Sequence, residues 1–178
     1  MANKIVKFIL GKIKFLENKL FAKPARRVLN ESVSQHSQLV ADLIVHPDVQ
    51  YTKNIDHHRY HSRFDHMLLA SKFAYYFALR TGADIRVCVR AAAIHDVWTK
   101  GSYCLPAVEF AKKIGEPAAV QQAIATHMVL NNPPRDKNGW VVAFADECAW
   151  GVESLEWLRL ITRDFLGWLA AVSPLNIK

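Results

Sequence analysis

Cysteine is scarce and shows no pairing pattern. Cys88, Cys104 and Cys148 are the three in 178 residues, an odd number with no C-x-x-C spacing. A disulfide framework and a cysteine zinc site are therefore excluded as organising devices, and a reducing, cytoplasmic setting is expected. Acidic residues are also few, 16 Asp and Glu against 23 Lys and Arg, which leaves a net charge of +7. Much of that excess sits before residue 30, so the chain has a basic end rather than a basic surface. No nucleic-acid recognition motif accompanies it, and nucleic acid is not an expected partner. Long uninterrupted apolar runs are missing too. The opening segment IVKFILGKIKFLENKLF, after Lys4, is apolar but broken by Lys7, Lys12, Lys14 and Lys19, too often for a membrane span or a signal-peptide core. There is no low-complexity tract, and no stretch alternates apolar and polar residues between hairpin turns. The reading that remains is an all-α fold.

What is present suits one well-filled helical domain over 1–178, since 51% of residues are hydrophobic and 22% charged. Residues 3–22 predict an amphipathic helix, with Lys4, Lys7, Gly11, Lys14 and Asn18 on one stripe and Ile5, Ile9, Ile13, Leu16 and Leu20 on another. Such a helix packs on the domain, lies on a membrane surface or contacts a second copy; Pro24 ends it. A second helix is expected from Ser32 or Ser34 through Leu39, Val40, Leu43 and Ile44 to His46, stopped by Pro47, with a loop over 48–62. The next begins near Phe64, carries Met67, Ala70, Phe73, Ala74 and Phe77 on its inner face, and ends at Gly82. Asp84 is a natural N-cap for IRVCVRAAAI, apolar nearly all round and hence central. Pro106 opens a short helix to Lys113, Gly115 closes it, and Pro117 opens another in which Val120, Ala123, Ile124 and His127 share a stripe. After a loop over 131–139, the chain from Val141 to Leu169 reads as mostly helical, with a break near Gly151. Its Leu155, Leu158, Leu160, Ile161, Phe165, Trp168 and Leu169 suit a core or a homo-oligomer interface.

Three polar residues sit where polarity is expensive. His66 shares a stripe with Ala70, Phe73 and Phe77, His95 ends the apolar helix, and Asp146 lies one turn after Val142 in VVAFAD. Each alone has an ordinary explanation in a backbone hydrogen bond. Together with Asp96 they form a mixed imidazole and carboxylate set, and one divalent metal satisfies all four at once.

The order of these residues, His66, then His95-Asp96, then Asp146, resembles the pattern of the HD superfamily of phosphohydrolases. The surroundings agree: HHRYHSRFDHMLLAS is similar to the family's first helix, RAAAIHD to its approach to the paired ligands, and IATHM and FADE to its later His and Asp segments. The likeness runs from about His57 to Glu153, with the flanking helices packing on that core. It implies a helical domain, a bound divalent metal (Mn, Fe, Co, Ni, Zn or Mg) and hydrolysis of a small phosphate ester, often a nucleotide.

On that resemblance His66, His95, Asp96 and Asp146 hold the metal, and Asp96 also orients or deprotonates the attacking water. His127 contacts phosphate, protonates the leaving group, completes a second metal site or serves as a buried structural residue. Arg63 and Lys100 are candidates to grip the phosphate, and His58 and His61 to line the pocket, each against a plain surface role. Two other classes stay open. A di-iron oxygenase needs more histidines than the lone His127 between Asp96 and Asp146, unless His57, His58 or His61 folds inward. The other is a non-catalytic, metal-binding regulatory module that keeps the helical scaffold and uses its basic N-terminal helix on an anionic partner; the intact four-ligand set speaks against a decayed active site.

Overall fold

A computed structural model describes residues 23–57, 61–98 and 104–171, with side chains described between residues 34 and 156. The segment 3–22, His58, Lys100 and the side chains from Leu158 to Leu169 lie outside the described residues. The chain falls into two compact units, residues 1–38 and 39–178.

Among the described residues there are seven α-helices and one two-stranded ribbon. Helix α1 (Lys23–Ile44) leads to α2 (Pro47–Tyr51), a 3-10 turn (Thr52–Asn54) and strands β1 (Asp56–His57) and β2 (His61–Ser62). Then come α3 (Arg63–Thr81), α4 (Ile85–Ile94), α5 (Leu105–Lys113), α6 (Ala118–Ala125) and α7 (Lys137–Ala171). The fold is all-α. No helix among the described residues is long and apolar enough to cross a membrane.

Helix ends follow the local chemistry. Ser62 caps α3 by accepting the Asp65 N–H, and Gly82 closes it in the left-handed conformation at φ 66°. Asp84 caps α4 through the Val87 N–H, and Pro106 falls in the first turn of α5. Four expectations need correction. Helix α1 is already formed at Lys23, well before Ser32. Pro47 stops that helix and at once starts α2, because a proline at a first helical position forgoes no hydrogen bond. The 48–62 stretch is not all loop, since Asp56 pairs with Ser62 and His57 with His61 in an antiparallel ribbon. Finally, α7 runs unbroken through Gly151.

Helix α4 is the central element, buried from Val87 to Ile94, and it packs against α3, α6 and α7. The inner face of α3 runs through His66, Met67, Ala70, Ser71, Ala74, Tyr75 and Ala78. Small side chains at that four-residue spacing let the neighbouring helices approach closely. Phe73 and Phe77, expected on this face, are only partly buried and stack on each other, with Phe77 also against Phe144 of α7.

One cation lies inside this apolar frame. The guanidinium of Arg90 donates from Nε to Glu116 at 2.9 Å, and from its terminal nitrogens to the Leu39 carbonyl at 2.8 Å and the Asp42 carboxylate at 2.8 and 2.7 Å. Fully engaged donors make this burial tolerable, and the hydrogen bonds hold Asp42 below the usual carboxylate range. The start of α7 is pinned in a similar way. Asn138 accepts the Asp84 N–H at 2.9 Å, and Gly139 sits so close to the end of α6 that a Cβ would lie 2.8 Å from Thr126 Oγ1.

Candidate metal centre

Four elements deliver polar side chains to one point. His66 comes from the first turn of α3, His95 and Asp96 from the turn that ends α4, His127 from the turn after α6, and Asp146 from the middle of α7. A single carboxylate oxygen joins two of them. Asp146 Oδ1 lies 2.9 Å from His66 Nε2 and 3.2 Å from His95 Nε2, while Asp96 Oδ2 is 4.0 Å from His95 Nε2.

The far nitrogen of each ring is fixed. His95 Nδ1 donates to the Ala92 carbonyl at 2.8 Å and His127 Nδ1 to the Ile124 carbonyl at 2.6 Å. His66 Nδ1 faces both carboxylate oxygens of Glu153, each at 3.1 Å. All three histidines thus keep Nδ1 engaged, the arrangement by which proteins orient an imidazole to ligate through Nε2. The rings are nearly sealed, His66 and His95 at 1% exposure, whereas the Asp96 and Asp146 side chains keep 16% and 26%. Solvent therefore approaches from the carboxylate side.

The electrostatics follow from this geometry. Burial alone would lower the His66 imidazole, but hydrogen bonds and charge from Asp146 and Glu153 outweigh it and raise it from 6.5 to about 9. His95 is likewise raised, burial being overcome by Asp146 and Asp96. His127 is lowered by burial and by the His95 charge, so it stays neutral. Burial would lift Asp96 and Asp146, yet the neighbouring histidines hold both below the usual carboxylate range.

Among the described residues, three overlapping groups have ligand atoms within 4.8 Å of one another: His66, His95 and Asp146; His95, Asp96 and His127; and His57, His66 and Asp96. The four residues singled out for a metal are therefore brought together, and His127 with them. Arg63 turns toward the same point, its guanidinium donating to the Asp96 carbonyl at 3.3 Å. His61 is placed elsewhere, 3.2 Å from Glu156 on α7. His58 and Lys100 lie outside the described residues.

Of the further members, His57 is one of the three histidines that had to fold inward to join the set, and Glu153 was not foreseen. His57 reaches the cluster because the ribbon turns β1 back over α3, bringing its ring centroid to 4.3 Å from that of His66. Glu153 was hidden by the break expected at Gly151. On an unbroken helix Val142, Asp146, Ala149 and Glu153 form one inner stripe, and that spacing was the available signal. Just past the ligands the chain turns sharply at Trp98, whose φ of 61° is rare for a bulky residue and whose ring stacks on Tyr51 at 5.1 Å.

The donor set fits a divalent cation. Two imidazole nitrogens and carboxylate oxygens converge from separate elements, each ring is already oriented, and mixed nitrogen and oxygen ligation suits first-row divalent metals. Comparison with curated proteins and with solved structures returns no match. A family model, HD domain, matches residues 63–151, half of the 178-residue chain, and spans His66, His95, Asp96, His127 and Asp146. With its helical architecture and its converging His and Asp side chains, the chain belongs to the HD domain family.

Proposed function

We propose that this protein is a phosphohydrolase that cleaves a small phosphate ester, of a nucleotide or a related molecule, with a divalent metal held by His66, His95, Asp96 and Asp146. The HD family is a superfamily of metal-dependent hydrolases, which gives the reaction class. The observation that carries the reading is the convergence of these side chains with both Nε2 atoms turned toward Asp146.

A bound cation would polarise a phosphoryl oxygen and acidify a water. The protein's own groups supply the rest. Asp96, held ionised by His95 and partly open to solvent, is suited to orient an attacking water by accepting its hydrogen bond, a role its lowered proton affinity favours over taking the proton itself. His127 is neutral with Nδ1–H committed to Ile124, so its Nε2 offers a lone pair; this supports ligation or acceptance of a hydrogen bond over donation of a proton to a leaving group. Arg63 brings positive charge beside Asp96 where an anionic substrate must dock. His58 and Lys100 are proposed to add contacts to the substrate.

A second reading draws on the other two converging groups. His127 and His57 each join a set containing Asp96, which supports a second ion beside the first and, with two irons, oxygenase chemistry. Metal content per chain and a screen of mononucleotides, dinucleotides and simple phosphate esters with each divalent metal separate the readings. On the hydrolase reading phosphate is released with metal present, and Asp96→Ala loses metal and turnover together. An Asp96→Ala protein that keeps both at the parent's level would remove this site assignment.

A further inference from the structure

We infer that Glu153 is a positioning residue of the metal centre: it holds the proton on His66 Nδ1, so that Nε2 is presented to the cation as a lone pair. The inference rests on the metal-binding reading of the site. Glu153 is one of the most deeply buried carboxylates, 2% exposed, and it faces an imidazole that is 1% exposed. Isolating a carboxylate in this way is unfavourable unless a donor meets it. The donor is His66 Nδ1, equidistant at 3.1 Å from both oxygens.

The geometry separates this role from direct ligation. Glu153 approaches His66 at Nδ1 while Asp146 approaches at Nε2, so the imidazole ring stands between Glu153 and the point where the ligands converge. Glu153 accordingly belongs to none of the converging groups among the described residues. Its influence must pass through the ring. By accepting the Nδ1 proton it selects the tautomer with a free Nε2, and its charge makes that nitrogen a stronger donor to a cation.

The three histidines differ in how they obtain this support. His95 and His127 donate Nδ1–H to backbone carbonyls three residues back, Ala92 and Ile124, which no side-chain substitution removes. For His66 the acceptor is a side chain from another helix, and its carboxylate is charged. Ligation by His66 should therefore depend on residue 153 as ligation by the other two depends on no single side chain.

The test uses the full chain titrated with Zn²⁺ by calorimetry, alongside ¹⁵N NMR of the His66 ring in the zinc-loaded state and urea unfolding of the zinc-free state. Glu153→Gln keeps the size and an acceptor oxygen but removes the charge; Glu153→Ala removes all three. Both variants are expected to bind Zn²⁺ roughly 10–100-fold more weakly, with the His66 Nδ1 signal displaced by loss of its charged acceptor. A purely structural clamp would instead leave Glu153→Gln within about threefold of the parent with an unchanged His66 spectrum, and that result overturns the inference. Glu153→Gln decides the matter if Glu153→Ala fails to fold. If the parent itself takes up no Zn²⁺ or Mn²⁺, the metal-centre reading falls first, and this inference with it.

Discussion

Replacing Asp146 by Asn removes the negative charge shared by two imidazoles while keeping the shape of the side chain, and its effect should depend on pH with a definite sign. In the metal-free protein His66 is raised from 6.5 to about 9 by Asp146 and Glu153. A tenfold change in proton affinity is worth about 1.4 kcal/mol, so this rise corresponds to about 3 kcal/mol shared between the two carboxylates. A group whose folded value is raised contributes stability that is complete below its unfolded value and is lost as pH rises through the folded one. The contribution of this pair is thus full below pH 6.5 and fades toward pH 9. Asp146 is held below its ordinary value, so its contribution is present above the usual carboxylate range and lost in acid. Urea unfolding of chelator-treated parent and Asp146→Asn should then differ by about 2 kcal/mol near pH 6 and by much less near pH 10. Metal uptake has the opposite sign, because a cation must displace the His66 proton: its apparent affinity should climb with pH up to about 9. A stability difference that stays constant from pH 6 to 10, or metal affinity indifferent to pH over that range, would refute the pairing described here.

Gly151 lies within α7 with open space where a Cβ would be, so Gly151→Ala should raise stability by about 0.5–1 kcal/mol, seen as a rise of a few degrees in Tm. Arg90→Ala strands the buried Glu116 carboxylate and should lower unfolding free energy by about 3–5 kcal/mol in urea titrations. The double variant Arg90→Met with Glu116→Gln should recover much of that loss, and equal losses in the single and double variants would show that the buried charge is not the cause.

The parts of the molecule legible in the sequence are those set by local chemistry or by a strong period. Gly82, Asp84, Pro106 and Gly115 mark helix ends because a cap or a fixed φ acts within a few residues. The burial of α4 followed from a run apolar nearly all round, and His66, His95 and Asp146 stood out as polar groups in apolar surroundings. What was missed depends on partners distant in sequence. Pairing of His57 with His61 is a long-range choice that no periodicity announces. Gly151 misled because an intrahelical glycine is unfavourable by only about 1 kcal/mol, less than burial on either side of it returns, so the helix continues and Glu153 keeps the phase of Asp146. Phe73 and Phe77 share the inner face with Ala70 and Ala74 as expected, but they pack at the edge of the core, partly buried, while the alanines fill it.

The alanines leave one question that the polar residues answer. Helices α3 and α7 pack along each other, and the buried small residues include Ala70, Ala74 and Ala78 on one and Ala145 and Ala149 on the other. Smooth surfaces of this kind fit almost as well after one helix slides past the other by a turn, about 5.4 Å. His66 does not allow that slide. Asp146 and Glu153 stand seven residues apart on α7, about 10 Å along its axis, and grip opposite nitrogens of one ring. A one-turn slip would strip the imidazole of both partners and bury two carboxylates without donors. The side chains that prepare the site for a cation therefore also act as the vernier that fixes the register of the two helices before any cation arrives.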